Sequence, residues 1–439
     1  MQFAIQPGGV ISGQARVPGD KSISHRSVML GSLAEGTTTV SGFLEGEDAL
    51  ATLAAFRAMG VEIERHGQGK ITVHGVGLHG LGKPATALDL GNSGTSIRLM
   101  AGLLAGQDFA SELSGDASLC SRPMGRVISP LTDMGAVITG AEGERPPLHI
   151  SGGQTLKGIH YDLPMASAQV KSCVLLAGLY AEGETSVTEP AVTRDHTERM
   201  LRGFGYVVER SDAGVISLKG GGSLQAAHID VPADISSAAF FMVAASIAPG
   251  SDLVLQHVGV NPTRTGVINL LKMMGADIRL CNETVVGGEP VADVHIRASK
   301  LHGIEIPEAQ VPLAIDEFPA LFIAAACAEG RTCLRGAEEL RVKESDRIAA
   351  MAEGLSTLGI QVEVLDDGII IDGVGDGACF GGGGVNSYHD HRIAMAFSVA
   401  ALRASDAVQV HNVDNVSTSF PGFDALARDL GLQVSVTQA

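Results

Sequence analysis

The chain has 439 residues, 45% of them hydrophobic, with 31 basic and 49 acidic side chains and a formal net charge of −18. That hydrophobic share excludes a disordered chain. The charge argues against a nucleic-acid or anionic-membrane surface, although a pocket can be positive under a negative exterior. The 56 glycines, roughly twice the usual share, lack the three-residue period of collagen.

At about 100–200 residues per domain, the length allows two to four domains. The six cysteines, Cys120, Cys173, Cys281, Cys327, Cys333 and Cys379, form no CxxC pair. With no secretory leader in MQFAIQPGG, reduced thiols in a cytoplasmic protein are expected. Apolar runs such as 238–248 fall short of the ~18 residues that cross a bilayer.

Two kinds of segment alternate along the chain, six copies of each. The first is a short amphipathic helix, a Gly, then a β-branched strand. Its copies are LAAFRAMGVEIE, ISPLTDMGAVIT, MLRGFGYVVE, INLLKMMGADIRL, MAEGLSTLGIQVEV and ALARDLGLQVSV. Their turn glycines are Gly60, Gly135, Gly205, Gly275, Gly359 and Gly431, placed where a left-handed helix cap excludes a Cβ. The second is a small-residue helix that opens on polar residues and is apolar nearly all round, which predicts burial. Each unit therefore reads strand, helix, strand, helix, strand, strand. A solenoid would repeat every ~20–50 residues, so a unit of about 70 is a small α/β module, and six group three and three.

In chain order, the starts of the buried helices gather the chemistry. The first, PGDKSISHR, offers Lys21, Ser22, Ser24 and Arg26 within about one turn. It lacks the P-loop spacing, so it reads as an ordinary cap or as a phosphate or carboxylate pocket. The second, LDLGNSGTSIRL, has Gly94, which lets a ligand approach the backbone, and Arg98 one turn on. GDASLCSRPMGRV then sets Arg122 before a proline that fixes the turn. The third, PMASAQVKS, brings Ser167 and Gln169, neutral partners for sugar-like hydroxyls, followed by Arg194 in AVTRDHTERM. His196 and Glu198 match no zinc signature and are expected at a solvated helix start.

The fifth start, LAIDEFPALF, has Asp316, for which an N-cap is the plain explanation. RVKESDRI packs Lys343, Glu344, Asp346 and Arg347 into five residues, ordinarily a solvated face. The sixth, YHDHRIAMAF, brings His389, Asp390, His391 and Arg392. Helix starts carry exposed N–H groups and partial positive charge, so several converging would bind anions. Lys21, Arg26, Arg98, Arg122, Arg194, Lys343, Arg347 and Arg392 could supply a two-anion site, with Asp316 and Glu344 as the only nearby carboxylates. Mutual repulsion predicts an open state that closes on ligand. No metal cluster, Ser-His-Asp set or dinucleotide fingerprint competes.

PGDKSISHR, GNSGTSIRL, SRPMGRV, SAQVKS, TRDHTERM, NPTRTG, RVKESDR and DHRIAM together resemble the 5-enolpyruvylshikimate-3-phosphate synthase family from end to end. SAQVKS and TRDHTERM are worded like its second sequence class. The resemblance implies transfer of the enolpyruvyl group of phosphoenolpyruvate to the 5-hydroxyl of shikimate 3-phosphate, with release of phosphate. This is the sixth step of the shikimate pathway to aromatic amino acids. It implies the enolpyruvyl transferase fold, two inside-out α/β domains each of three βαβαββ units. Residues 21–232 would form one domain and 1–20 plus 233–439 the other, with the active site in the cleft between them.

By that resemblance, Lys21, Ser22, Arg26, Ser167, Ala168, Gln169, Arg194, Asp316 and Lys343 hold shikimate 3-phosphate. Lys21, Gly94, Arg122, Gln169, Arg347 and Arg392 hold phosphoenolpyruvate. Asp316 takes the hydroxyl proton, and Glu344 with Lys21 protonates the methylene carbon. No cofactor or metal is implied, nor a nucleic-acid or membrane partner, and a monomer is expected. Two features depart from first-class members. VSTSFPGF has Ser and Thr in place of a Lys near the phosphate, and Ala168 replaces a serine. Gly94 stands where tolerance to glyphosate is often tuned by a larger residue.

The sister enzyme, UDP-N-acetylglucosamine enolpyruvyl transferase, carries a reactive Cys in a G-G-C-like loop, whereas Cys120 lies in no such setting and reads as an ordinary thiol. A non-catalytic anion-binding scaffold gives no reason for Asp316 and Glu344 among basic helix starts. An RNA-end cyclase is disfavoured by the −18 charge.

Overall fold

In the computed structural model, which describes residues 1–377 and 380–438, the chain divides into two compact units. The first comprises Gly19–Val231 with Val286–Glu289. The second comprises Met1–Pro18, Pro232–Val285 and the chain from Pro290 onward. The cut falls at Pro18 rather than residue 20 because Asp20 already belongs to the first helix, where its carboxylate accepts from Ile23 N at 2.8 Å. The short stretch Val286–Glu289 had no sequence signal for its grouping.

Among the described residues, each unit holds three sheets. In the first unit, one module runs strand Leu88–Asp89, helix Gly94–Ala105, strand Ser111–Ser114, helix Gly125–Asp133, strands Ile138–Ala141 and Arg145–Ile150. Its sheet opens on a parallel pair and continues antiparallel, Leu88 beside Leu113 and Leu113 beside Leu148. The same order recurs in the sheet of His160–Asp162, Glu184–Thr188, Ile216–Lys219 and Val208–Arg210. Strand Lys70–Val76 alternates, with Ile71 and Val73 buried inward, as a sheet with one wet face requires.

The helices that read as apolar all round lie inside and the sheets outside. Lys21–Leu33, Gly94–Ala105 and Ala168–Gly178 occupy the core of the first unit. Ile235–Ile247, Phe318–Cys327 and His391–Ala400 occupy that of the second. Every residue of Ile235–Ile247 is buried. At ~1.5–3 kcal/mol for each large side chain removed from water, such helices drive collapse of their unit. Small residues permit close packing: a Cβ at Gly102 would stand 2.2 Å from the Cys173 carbonyl oxygen. The six turn glycines after the amphipathic helices all adopt φ between +81° and +114°, the region where a side chain is strained.

The N-terminal segment completes two sheets of the second unit. Gln2–Ile5 lies antiparallel between Val408–His411 and Val434–Thr437, and Ser12–Ala15 runs parallel to Asp252–Gly259. This unit therefore takes its modules from both ends of the chain. Cys120, Cys173, Cys281, Cys327 and Cys333 are free thiols, and Cys379 lies outside the described residues. No described helix is long and apolar enough to cross a membrane.

Candidate active site

In the first unit, three helix starts carry the predicted anion binders. Asp20, Ser93 and Ser167 cap these helices through Ile23 N, Ser96 N and Val170 N. Lys21 Nζ is ion-paired with Asp48. Arg26 is buried, and its guanidinium is held on three sides. Nε donates to Thr197 Oγ1 at 2.7 Å, Nη2 to Ser172 Oγ at 3.0 Å and Nη1 to the Ser22 carbonyl at 3.0 Å. Burial lowers its pKa to about 10, against the pull of Glu198, so it stays charged at neutral pH. Arg194 is close enough for its charge to lower the same pKa.

His25 adds no charge beside these cations. Its ring is buried, with Nδ1 2.8 Å from Thr52 Oγ1, and burial followed by the charges of Lys21 and Arg26 pushes its pKa well below 6.5. The second helix start brings Gly94, Arg98, Arg122 and Gln169 together. A Cβ at Gly94 would lie 2.9 Å from Arg98 Nη1 and 3.0 Å from Arg122 Nη1, so two guanidiniums converge over a bare Cα. Arg98 Nη1 donates to Gln169 Oε1 at 2.8 Å, and Gln169 Nε2 to Thr95 Oγ1 at 3.1 Å. Arg122 Nη2 donates to Asn92 Oδ1 at 2.6 Å and Ser118 Oγ at 3.1 Å. Nearby, the Ala168 carbonyl accepts from Ser172 Oγ at 2.7 Å, which links this helix start to the Arg26 brace.

His196 and Glu198 do not sit at a solvated helix start; both are 2% exposed. His196 Nδ1 lies 2.8 Å from Glu289 Oε1. Glu198 and Glu189 flank the fully buried Lys171 at 2.9 and 3.0 Å, and Lys171 Nζ also donates to the Thr193 carbonyl at 3.4 Å. This buried cluster fixes the chain immediately before Arg194. A Lys in a helix otherwise apolar all round was the available signal, because such a charge is almost never buried unpaired. Elsewhere in this unit Glu62, Glu64 and His74 share an exposed hairpin face, where His74 Nε2 meets Glu64 Oε1 at 3.1 Å.

The second unit gathers Asp316, Lys343, Glu344, Arg347 and Arg392. Asp316 is not the N-cap of the following helix; that position is Glu317. The Asp316 carboxylate instead lies 3.4 Å from Arg347 Nη1 and 3.9 Å from both Lys343 Nζ and Arg392 Nη2. Arg347 is 1% exposed rather than part of a solvated face. Its Nη2 donates to Glu344 Oε2 at 2.6 Å and its Nε to Asp390 Oδ2 at 2.8 Å. Burial works against this charge, but Asp390, Glu344 and Asp316 outweigh it and raise the pKa above the ordinary guanidinium value.

Asp316 and Glu344 are therefore not the only carboxylates among these cations. Asp390 also caps the helix His391–Ala400, accepting from Arg392 N at 2.9 Å and from Ser345 Oγ at 3.1 Å. Glu339 Oε1 accepts from Lys343 Nζ at 3.4 Å. One-turn spacing could have suggested Glu339, and Asp390 stood at the sixth helix start, but its pairing with Arg347, 43 residues away, had no local signal. In VSTSFPGF, the Thr418 hydroxyl donates to the Asn415 carbonyl of its own turn at 2.7 Å.

Residues 5–426 match the family described as EPSP synthase (3-phosphoshikimate 1-carboxyvinyltransferase). A protein of Methylococcus capsulatus named 3-phosphoshikimate 1-carboxyvinyltransferase is 65% identical over 99% of this chain and 98% of its own. One of Alkalilimnicola ehrlichii with the same name is 64% identical over 99% and 97%. An EPSP synthase structure from Acinetobacter baumannii covers both chains fully at 61% identity and a TM-score of 0.90. The enolpyruvyl transferase NikO from Streptomyces tendae, at 18% identity, shares the fold over 100% of this chain and 99% of its own, with a TM-score of 0.80.

Proposed function

The chain belongs to the EPSP synthase family, and on that premise we infer that the residues assembled above divide the family's reaction between substrate holding and proton transfer. The enzyme transfers the enolpyruvyl group of phosphoenolpyruvate to the 5-hydroxyl of shikimate 3-phosphate and releases phosphate. Both substrates are anions, which suits helix starts lined with guanidiniums.

Lys21, Ser22, Arg26, Ser167, Ala168, Gln169, Arg194, Asp316 and Lys343 hold shikimate 3-phosphate. Lys21, Gly94, Arg122, Gln169, Arg347 and Arg392 hold phosphoenolpyruvate. The two half-sites thus serve one reaction. Adding an alcohol across the double bond of an enol phosphate needs a base at oxygen and an acid at carbon. Asp316 takes the hydroxyl proton as the oxygen bonds to the central carbon of phosphoenolpyruvate. Glu344, with Lys21, delivers a proton to the methylene carbon. Elimination reverses the carbon step: the methylene carbon loses a proton, the double bond reforms and phosphate leaves.

One observation carries this division: Asp316 and Glu344 contact the same buried guanidinium, that of Arg347, at 3.4 and 2.6 Å. Two carboxylates are thereby fixed side by side without either being spent as a helix cap. Each acid–base role is typically worth ~10²–10⁴ in rate. Asp316→Ala and Glu344→Ala should each lower kcat by about that factor while still binding shikimate 3-phosphate, as calorimetry would register. Near-normal turnover in both variants removes the assignment.

A further inference from the structure

The motif NPTRTG has no part in the roles above, yet its arginine lies deep in the second unit. Arg264 is 3% exposed. Its Nη2 donates to Ser236 Oγ at 2.7 Å and lies 3.5 Å from Glu317 Oε1 and from Asp234 Oδ1. The Ser236 hydroxyl donates in turn to Glu317 Oε1. Asp234 is committed to capping the helix Ile235–Ile247, where it accepts from Ser236 N at 2.7 Å.

Glu317 is the unusual member. It is 1% exposed, and although it occupies the N-cap of Phe318–Cys327, its side chain makes no capping bond there. Burying a carboxylate is costly unless it is paired and hydrogen-bonded, and a short polar residue would cap the helix better. The carboxylate is engaged instead by Ser236 and Arg264, which tie residue 317 to a different helix. On the other side of the same peptide, Arg392 Nη1 donates to the Asp316 carbonyl at 3.0 Å. The Asp316–Glu317 peptide is thus clamped at both ends, and the Asp316 carboxylate has its direction set against Lys343, Arg347 and Arg392.

We propose that Arg264, Ser236 and Glu317 form a positioning unit that holds Asp316 where its carboxylate meets the substrate hydroxyl; the inference rests on the assignment of Asp316 as the base. A general base works within about 2.6–3.2 Å of the atom that carries the proton, and a misplacement near 1 Å costs up to ~10²-fold in rate. Glu317→Gln keeps the side-chain volume and an oxygen for Ser236 but removes the charge that faces Arg264. Ser236→Ala removes the hydroxyl bridge alone and serves if the first variant folds poorly.

Both variants should lower kcat by ~10–10²-fold with KM for either substrate changed less than about threefold. In an Asp316→Ala background, Glu317→Gln should lower kcat no further, because a positioning residue has nothing left to position. If kcat is unchanged in both single variants, or if the losses multiply in the double variant, the positioning unit is refuted while Asp316 keeps its role. If Asp316→Ala alone turns over normally, the base assignment fails instead.

Discussion

The two units support their clustered cations differently. In the first unit Arg26, Arg98 and Arg122 donate to hydroxyl, amide and carbonyl oxygens of Thr197, Ser172, Gln169 and Asn92. In the second, Lys343, Arg347 and Arg392 face Asp316, Glu344, Asp390 and Glu339. Neutral braces orient these three guanidiniums without adding negative charge, whereas Lys21 in the same unit is ion-paired with Asp48. Carboxylate partners nearly balance the second half-site and leave two carboxylates aligned by a shared guanidinium. The contrast is between guanidiniums braced by neutral oxygens and guanidiniums braced by carboxylates.

The buried charges test this contrast most severely. Asp390→Asn leaves Arg347 without its most deeply buried partner, and Lys171→Met removes the buried cation that Glu189 and Glu198 share, leaving Glu189 with the more exposed Arg210 at 3.6 Å. Each should cost about 3–5 kcal/mol in urea unfolding, the usual penalty for breaking one side of a buried pair. Asp390→Asn should also lower kcat, because Arg347 then loses its fixed direction toward Asp316 and Glu344. A wild-type unfolding midpoint for Asp390→Asn would show that the second half-site does not depend on balanced charge.

Arg26→Lys tests the neutral brace. The substitution keeps the charge but cannot reach Thr197, Ser172 and the Ser22 carbonyl together. Loss of one charge-assisted bond is worth ~1.5–3 kcal/mol, so KM for shikimate 3-phosphate should rise about 10–100-fold with a smaller change in kcat. An unchanged KM would mean that charge alone suffices there.

The smallest effect concerns His25, which the first half-site keeps neutral. With its folded pKa well below 6.5, the imidazole gains a proton in acid only after unfolding. The unfolded state therefore binds more protons below about pH 6.5, and stability falls as pH drops, by up to ~1.4 kcal/mol per pH unit from this group. His25→Gln removes that contribution, so its urea midpoint should fall less than that of the parent between about pH 6.5 and 5. Equal falls would show that His25 is not held neutral.

Much of the fold was legible because its signals are local. The turn glycines needed only a positive φ, the core helices an uninterrupted apolar surface, and the helix starts their polar caps. Lys21, Arg26, Gly94, Arg122, Asp316, Lys343 and Arg347 were legible as helix-start and loop residues within recognisable motifs. His196 and Glu198 misled because a polar helix start ordinarily faces water, whereas Lys171 and Glu289 take them into the interior. Asp316 likewise resembled a cap from its place before an apolar helix, although Glu317 holds that position.

The sequence by itself determined the sixfold module, the left-handed turns and the helix starts at which anion-binding residues collect. These follow from torsional sterics and hydrophobic periodicity within a few residues of each position. The tertiary structure alone decided which charge meets which partner. Arg26 joins Thr197 across 171 residues and Arg347 joins Asp390 across 43. An ion's partner is set by packing in three dimensions, where burial raises the cost of leaving it alone, and no local periodicity encodes that distance.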